Sequence, residues 1–288
     1  ALGDLGYMDM LSRFFINKDR TVNSRGIRRT RGDMSDRVDL DRQNGWRLKG
    51  HAAEPFWKWV SSWARAMRKP SDYGFSDDGF MLPELIERTH QVEPLTPHPD
   101  HLFETPALGL QEERAEIRRT LAERCETAAS VLADADRAVA WCHLNDESAV
   151  LARLIDGAVE VTGSDSDEAK EEKLTAFTRG EIRVLVTKPK IGAWGLNWQH
   201  CHRMTYFPSH SYEQYYQAVR RSWRFGQTQP VTVDLITTPG GERIMRNLHR
   251  KSQHADEMFA RLIEHMNDAQ RIHTGATEYE MEMPTWAS

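Results

Sequence analysis

Between residues 138 and 236 short apolar runs alternate with helix-length stretches, and this alternation constrains the fold more than any other feature of the chain. The runs at 138–142 (AVAWC), 159–162, 182–187 (IRVLVT), 204–207 and 231–236 each have the length and apolar content of a buried strand. Asn145 is expected to cap a helix that runs to Ile155 and stops at Gly157. Ser166 or Asp165 is expected to cap another through Phe177, with Gly180 after it. A third helix is read over 212–224. Strands alternating with helices of this length imply an α/β fold, a parallel sheet with helices on both faces. In such sheets the functional site falls beyond the carboxyl ends of the strands, where Thr187 and the loop from Gly192 to Asn197 follow.

The chain has 288 residues, enough for one large domain or two small ones. Hydrophobic residues at 39 % and charged residues at 28 % fit a soluble globular protein. No apolar run approaches the roughly 20 residues needed to span a bilayer. The opening ALGDLGYMDM has neither a basic nor an apolar region of a signal peptide, so none is expected. Cys125, Cys142 and Cys201 are scattered and odd in number, which argues against a zinc site or disulfide framework and for a reducing cytoplasm. The 12 histidines show no metal-ligand spacing.

The net charge of −5 conceals an asymmetry. Residues 1–70 carry 15 Lys/Arg against 8 Asp/Glu, whereas the remainder carries 23 against 35. The excess is concentrated in a polar, basic loop at 17–49, which includes Arg25, Arg28, Arg29 and Arg31. This is either an electrostatic footprint for nucleic acid or a solvated loop. Around it, residues 1–16 read as a short helix, with Leu5, Met8, Leu11 and Phe15 at helical spacing. Residues 51–69 read as a helix with Phe56, Val60, Trp63 and Met67 on one face and Pro55 in its first turn. The prolines of 93–109 mark a linker. A helix is expected over 110–132, with Leu110, Ile117, Leu121, Cys125 and Leu132 on one stripe. A long helix is expected from Gly240 to about Asp268, and 269–288 reads as a frayed tail.

The stretch 214–227, QYYQAVRRSWRFGQ, sets Gln217, Arg221 and Arg224 at spacings of four and three. On a helix those spacings put all three on one face, and Gly226 would end that helix. Two planar guanidinium forks beside a glutamine form a surface for an anion of defined geometry, phosphate above all. The plainer alternative is a solvated basic face. One strand earlier lies 187–197, TKPKIGAWGLN. There Gly192 and Gly195 either bring backbone close to a partner or make a tight turn. Thr187, Lys188 and Lys190 sit where they can meet nucleic-acid phosphates, a contact that positions without reading sequence. Trp194 and Trp198 are read as core packing before base stacking, and His143 as a surface residue.

Thr187, Gly192, Gly195, Leu196 and Asn197, followed by Gln217, Arg221, Arg224, Gly226 and Gln227, resemble the last two motifs of Swi/Snf-type DNA helicases and translocases. Within that family the likeness is to bacterial and phage members. Arg220 stands where the family usually has glycine, and Trp223 where it usually has histidine. The resemblance implies a RecA-like second lobe over 110–268, preceded by a mainly helical inter-lobe segment over 1–92. It also implies arginine fingers at Arg221 and Arg224, with Gln217 orienting them or the water. Gly192, Gly195, Leu196 and Asn197 would then couple nucleotide to the arginines. Thr187, Lys188, Lys190 and the basic loop would hold DNA, and Lys251 would lie on a bracing helix. The cofactors implied are ATP and Mg2+, in a complete two-lobe motor. The sequence has no Gly-x-x-x-x-Gly-Lys-Ser/Thr loop and no Asp-Glu box, so the first lobe is expected as a partner in cis or in trans. The competing reading is a nucleic-acid-binding or regulatory remnant without turnover. An unrelated dinucleotide-binding enzyme is disfavoured, because no Gly-x-Gly-x-x-Gly follows a strand.

Overall fold

The computed structural model describes residues 5–17, 46–95, 109–192 and 195–274. The chain divides into two compact units, 1–77 with 254–288, and 78–253.

The larger unit is built on a six-stranded sheet in which every pairing is parallel. Its strands are β3 (Leu85–Gln91), β4 (Ala138–Trp141), β5 (Ala158–Val161), β6 (Val184–Thr187), β7 (Arg203–Tyr206) and β8 (Val231–Thr237), in the order β3-β8-β7-β4-β6-β5. The central strands are buried from end to end, as near-continuous apolar runs require when both faces are covered. Alternate side chains feed two separate cores. Ala138, Ala140, Val184 and Val186 pack with Cys125, Leu132 and Leu151, whereas Val139, Trp141 and Leu185 pack with Phe177, Trp198, Met204 and Leu248. Helices therefore cover both faces, the α/β architecture that the alternation predicts. The sheet gains one strand beyond the prediction. LIERTHQ at β3 alternates weakly and half of it is exposed, so its place at the edge, paired with β8 alone, left little trace in the sequence.

The helices follow their caps. α3 (Leu110–Arg119) and α4 (Leu121–Val131) were expected as one helix, and Thr120 separates them. The Thr120 hydroxyl donates back to Glu116 O at 2.7 Å, the kind of local bond that bends or breaks a helix. α5 (Asn145–Leu154) is not capped by Asn145, which is its first residue. Instead the Glu147 carboxylate accepts from the backbone N–H groups of His143 and Leu144, each at 2.9 Å. α6 (Asp167–Arg179) matches its expected cap, with Ser166 Oγ accepting from Ala169 N at 3.2 Å and Gly180 in the left-handed region. α7 (Pro189–Gly192) and α8 (Tyr212–Val219) complete the unit, together with the first part of α9 (Glu242–Thr274). The long last helix runs past the expected Asp268. Lys251 on it donates to His210 O at 2.5 Å.

In the smaller unit α1 (Tyr7–Phe14) stops before its predicted end, because Phe15–Asn17 (β1) pairs antiparallel with Trp46–Leu48 (β2). Phe14 is buried between Phe56 and Trp59 of α2 (Ala53–Trp63), with ring centroids 5.4 and 5.5 Å away. The expected apolar stripe of α2 fails at its end. The helix finishes at Trp63, and Trp63 and Met67 are exposed. Most of the basic loop, Trp194, the greater part of the proline-rich linker and residues 275–288 lie outside the described residues. No described helix is long and apolar enough to cross a membrane.

Candidate functional site

The arginines leave the helix on which their spacing was read. α8 is capped by Ser211, whose Oγ accepts from Gln214 N at 3.3 Å, and ends at Val219. Of the three expected residues only Gln217 is helical. Arg221 and Arg224 follow in tight turns, and Gly226, at φ +88°, closes those turns rather than the helix. The helix stops as its bonds tighten to i→i−3, with Arg221 N donating to Ala218 O at 3.2 Å and Ser222 N to Val219 O at 3.1 Å, while Gln217 O accepts from the Arg221 side chain. Beyond it Arg221 O accepts from Trp198 N at 2.8 Å, and Ser222 O from the Gln227 side chain at 3.3 Å.

The three side chains nevertheless meet, and they meet on the preceding motif. The buried Arg221 guanidinium donates to Leu196 O at 2.8 Å, to Gln217 O at 3.2 Å and to Gln217 Oε1 at 3.2 Å. Arg224, half-buried, donates to Asn197 Oδ1. Burial, and then the neighbouring charge of Arg224, lower the Arg221 pKa from its usual value. Two guanidinium groups held close, with no acid paired to either among the described residues, form a local excess of positive charge. Gln227, which spacing gave no role, uses its whole amide here. It donates to Cys201 O at 3.1 Å and to Ser222 O, and accepts from Thr228 N and Gln229 N at 3.0 Å each. Nothing in the spacing separates this buried clamp from an exposed glutamine.

The site is not where the general rule for parallel sheets put it. Gln227 reaches Cys201, and Thr232 N donates to His202 O at 2.8 Å, so the arginine turn lies where the chain enters β7 and β8, at their amino ends. Of the residues read as DNA contacts, Thr187, Lys188 and Lys190 stand at the other end, where β6 finishes. Thr187 is fully buried, and its hydroxyl donates to Val161 O at 3.2 Å, which corrects its assignment as a phosphate contact. Lys188 donates to Asn145 Oδ1, and Lys190 is exposed. Gly192 is a packing residue. A Cβ there would stand 2.9 Å from Thr187 Cγ2 and 3.2 and 3.3 Å from Trp198 and Trp141. Gly195 differs, with φ +74° and open space around it, and makes the turn that presents Leu196 and Asn197. Trp198 is core, as expected, buried and donating from Nε1 to Thr178 Oγ1 at 3.1 Å. Arg25, Arg28, Arg29 and Arg31 lie outside the described residues.

At the carboxyl ends, beside the crossover between β4 and β7, lies a cavity of about 200 Å³ lined by His143, Leu144, Phe207, Pro208 and Thr238 among others. His143 is not the surface residue expected. Its Nε2 donates to Phe207 O at 2.9 Å, and burial lowers its pKa. Behind it Arg124 and Glu147 pair at 2.9 Å with both side chains buried. Among the described residues no three His, Cys, Asp or Glu side chains gather as a metal site.

No protein-family model matches the chain, and no curated protein matches it. Among solved structures it is similar to the C-terminal part of the Fun30 ATPase domain, with a TM-score of 0.40 and 16 % identity over 44 % of this chain and 45 % of that one. It is similar to the E. coli DEAD-box protein SrmB, solved bound to the regulator of ribonuclease activity A, with a TM-score of 0.39 and 17 % identity over 46 % of this chain and 79 % of that one. A third likeness is to a DEAD box protein from the hyperthermophile Methanococcus jannaschii, with a TM-score of 0.40 and 17 % identity over 46 % of this chain and 37 % of that one. The chain thus spans less than half the length of the first of these.

Proposed function

We propose that the unit carrying the parallel sheet is the second lobe of an ATP-dependent DNA helicase or translocase of the Swi/Snf type, with Arg224 its arginine finger. The observation that supports this reading is the convergence of Arg221, Gln217 and Arg224 on Leu196 and Asn197, which joins the two motifs of the resemblance into one cluster of positive charge. The two arginines have different tasks. Arg221 is buried and engaged three times by its own chain, so it positions the loop. Arg224 is less buried and held by a single amide oxygen, so it is the one to turn toward a γ-phosphate presented by a first lobe. There its planar fork neutralises charge that develops on the transferred phosphoryl oxygens. Mg2+ and the phosphate cradle would come from the first lobe, since the sequence has neither a Gly-x-x-x-x-Gly-Lys-Ser/Thr loop nor an Asp-Glu box. Lys188, Lys190 and the basic loop supply backbone contacts to DNA.

The test joins a first RecA-like lobe to the chain, fused or in trans, and measures kcat and KM for ATP together with DNA affinity. Arg224→Ala is expected to lower kcat by about 10³-fold or more, the usual worth of an arginine finger, with a small change in KM. Arg224→Lys is expected to rescue poorly, since a point charge lacks the fork. Arg221→Ala is expected to lose about 1–3 kcal/mol of stability as well as activity, because Leu196 O is left without its donor. Near-normal kcat with lost DNA binding in Arg224→Ala would overturn the assignment. DNA binding with no turnover in any two-lobe form would favour the regulatory remnant.

A further inference from the structure

The residues on either side of Arg224 are both fastened to one short stretch far away in the chain. Trp223 Nε1 donates to Pro83 O at 2.7 Å. Phe225 stacks edge-on against Phe80, with ring centroids 5.3 Å apart and the planes at 90°. Immediately beyond, Val231 N donates to Glu84 O at 2.9 Å, and there β3 begins to pair with β8. The stretch 80–84 therefore runs along the arginine turn, touching it twice, and on to the first residue of β8. The two contacts with the turn bracket Arg224, whose side chain is half-buried. A third group stiffens the same spot. The Arg220 guanidinium lies over the Trp223 ring at 4.5 Å and over the Tyr216 ring at 5.1 Å, which leaves the indole clasped between an arginine and a backbone carbonyl. Packing alone does not account for the Phe80–Phe225 pair, since both rings remain about half exposed, at 48 % and 50 %.

We propose that the stretch 80–84 is a strap that positions Arg224, with Trp223 and Phe225 as its two fastenings and Arg220 as the lock on the first. The inference rests on the reading of Arg224 as the finger and adds what sets its reach. A residue in a turn has no helix to fix its direction. Here direction comes from anchoring its neighbours, so that the guanidinium leaves the backbone at a set angle and is held meanwhile by Asn197. The strap precedes β3 directly, so a displacement of 80–84 reaches the finger through Trp223 and Phe225. Trp223 and Phe225 are thus positioning residues, and they act on turnover through Arg224 alone.

The experiment has two arms. In the first, hydrogen exchange is followed on the 288-residue chain itself, for wild type, Trp223→Phe, Trp223→His and Phe80→Ala. Trp223→Phe removes the indole donor and Phe80→Ala one ring of an exposed pair. Both are expected to speed exchange at the amides of Arg224 and Gln227, which bond within the turn, and to leave β4 and β6 unchanged. Trp223→His keeps a ring N–H and is expected to restore protection. Unchanged exchange at Arg224 and Gln227, or acceleration through the whole sheet, overturns the strap. In the second arm, the same variants are assayed for ATP turnover in the two-lobe motor, each alone and combined with Arg224→Ala. Trp223→Phe and Phe80→Ala are expected to lower kcat by roughly 10–100-fold with KM nearly constant, the cost of misplacing a group by about an ångström. Trp223→His is expected to recover most of the loss. In the Arg224→Ala background the strap variants are expected to do nothing more, and an additive loss there overturns the proposal. If Arg224→Ala alone keeps its kcat, the reading of the finger fails, while the exchange arm still decides whether the strap holds the turn.

Discussion

A methyl group at position 192 has no room. It would press on Thr187 Cγ2 at 2.9 Å, a branched side chain that is itself fully buried, and it would touch the rings of Trp198 and Trp141. Gly192→Ala is therefore expected to destabilise the lobe by about 1–3 kcal/mol through overpacking, read as a lower urea midpoint at unchanged slope. A midpoint equal to wild type would show that the two tryptophans yield. The same residue shows what a motif hides. Glycine in this loop reads from sequence as a place where backbone meets a ligand, yet its neighbours are the core. Gly195, three residues on, is the one whose left-handed φ shapes the exposed turn. A pattern of letters does not distinguish a glycine that makes space from one that fills the only space left.

Among the elements, the end of β4 and the start of α5 carry a pH dependence. His143 is held neutral chiefly by burial, which lowers its pKa from the ordinary 6.5, and the Glu147 charge opposes this only in part. The unfolded chain thus binds the proton more readily than the folded one. Stability is full above about pH 6.5 and falls as pH drops below it. Burial pushes His200 and His202 in the same direction. Urea unfolding between pH 7.5 and 5.5, values set about the ordinary histidine pKa, should show this loss, with a shallower slope in His143→Gln, which keeps a donor for Phe207 O. Equal slopes would mean that His143 takes no part. The elements themselves were legible where their causes are local. Apolar runs at 138–141 and 184–187, the Ser166 cap and Gly180 all follow from residues close in the chain. What failed had distant causes. β3 is a strand because β8 lies beside it, and the turn that follows α8 is held by the distant Leu196 and Trp198, which bond to Arg221. Gln217, Arg221 and Arg224 were correctly brought together for an incorrect reason, a helical face that the chain does not form.

For the whole molecule, charge is the property that reaches furthest. Segment 13–49 carries eleven Lys/Arg against five Asp/Glu, in a chain whose net charge is −5. Weak binding to DNA of any sequence is expected, falling steeply with salt as counterions are released. Replacing Arg25, Arg28, Arg29 and Arg31 with alanine should weaken the binding and flatten its salt slope by about one unit for each lost contact. Affinity equal to wild type at all salt concentrations would reduce the segment to a solvated loop. The order of the sheet has a consequence of another kind. β3 is the first of its six strands to be made and β8 the last, yet β3 pairs with β8 alone, from Leu85 beside Val231 to Gln91 beside Thr237. During synthesis β3 therefore waits on the ribosome without a partner until every other strand of the sheet has emerged. Conversely, a chain started after residue 91 would present β8, with Val231, Val233 and Leu235 buried in the native sheet, as a bare edge open to pairing with another molecule. The strand that sequence reading passed over is the one that closes the sheet.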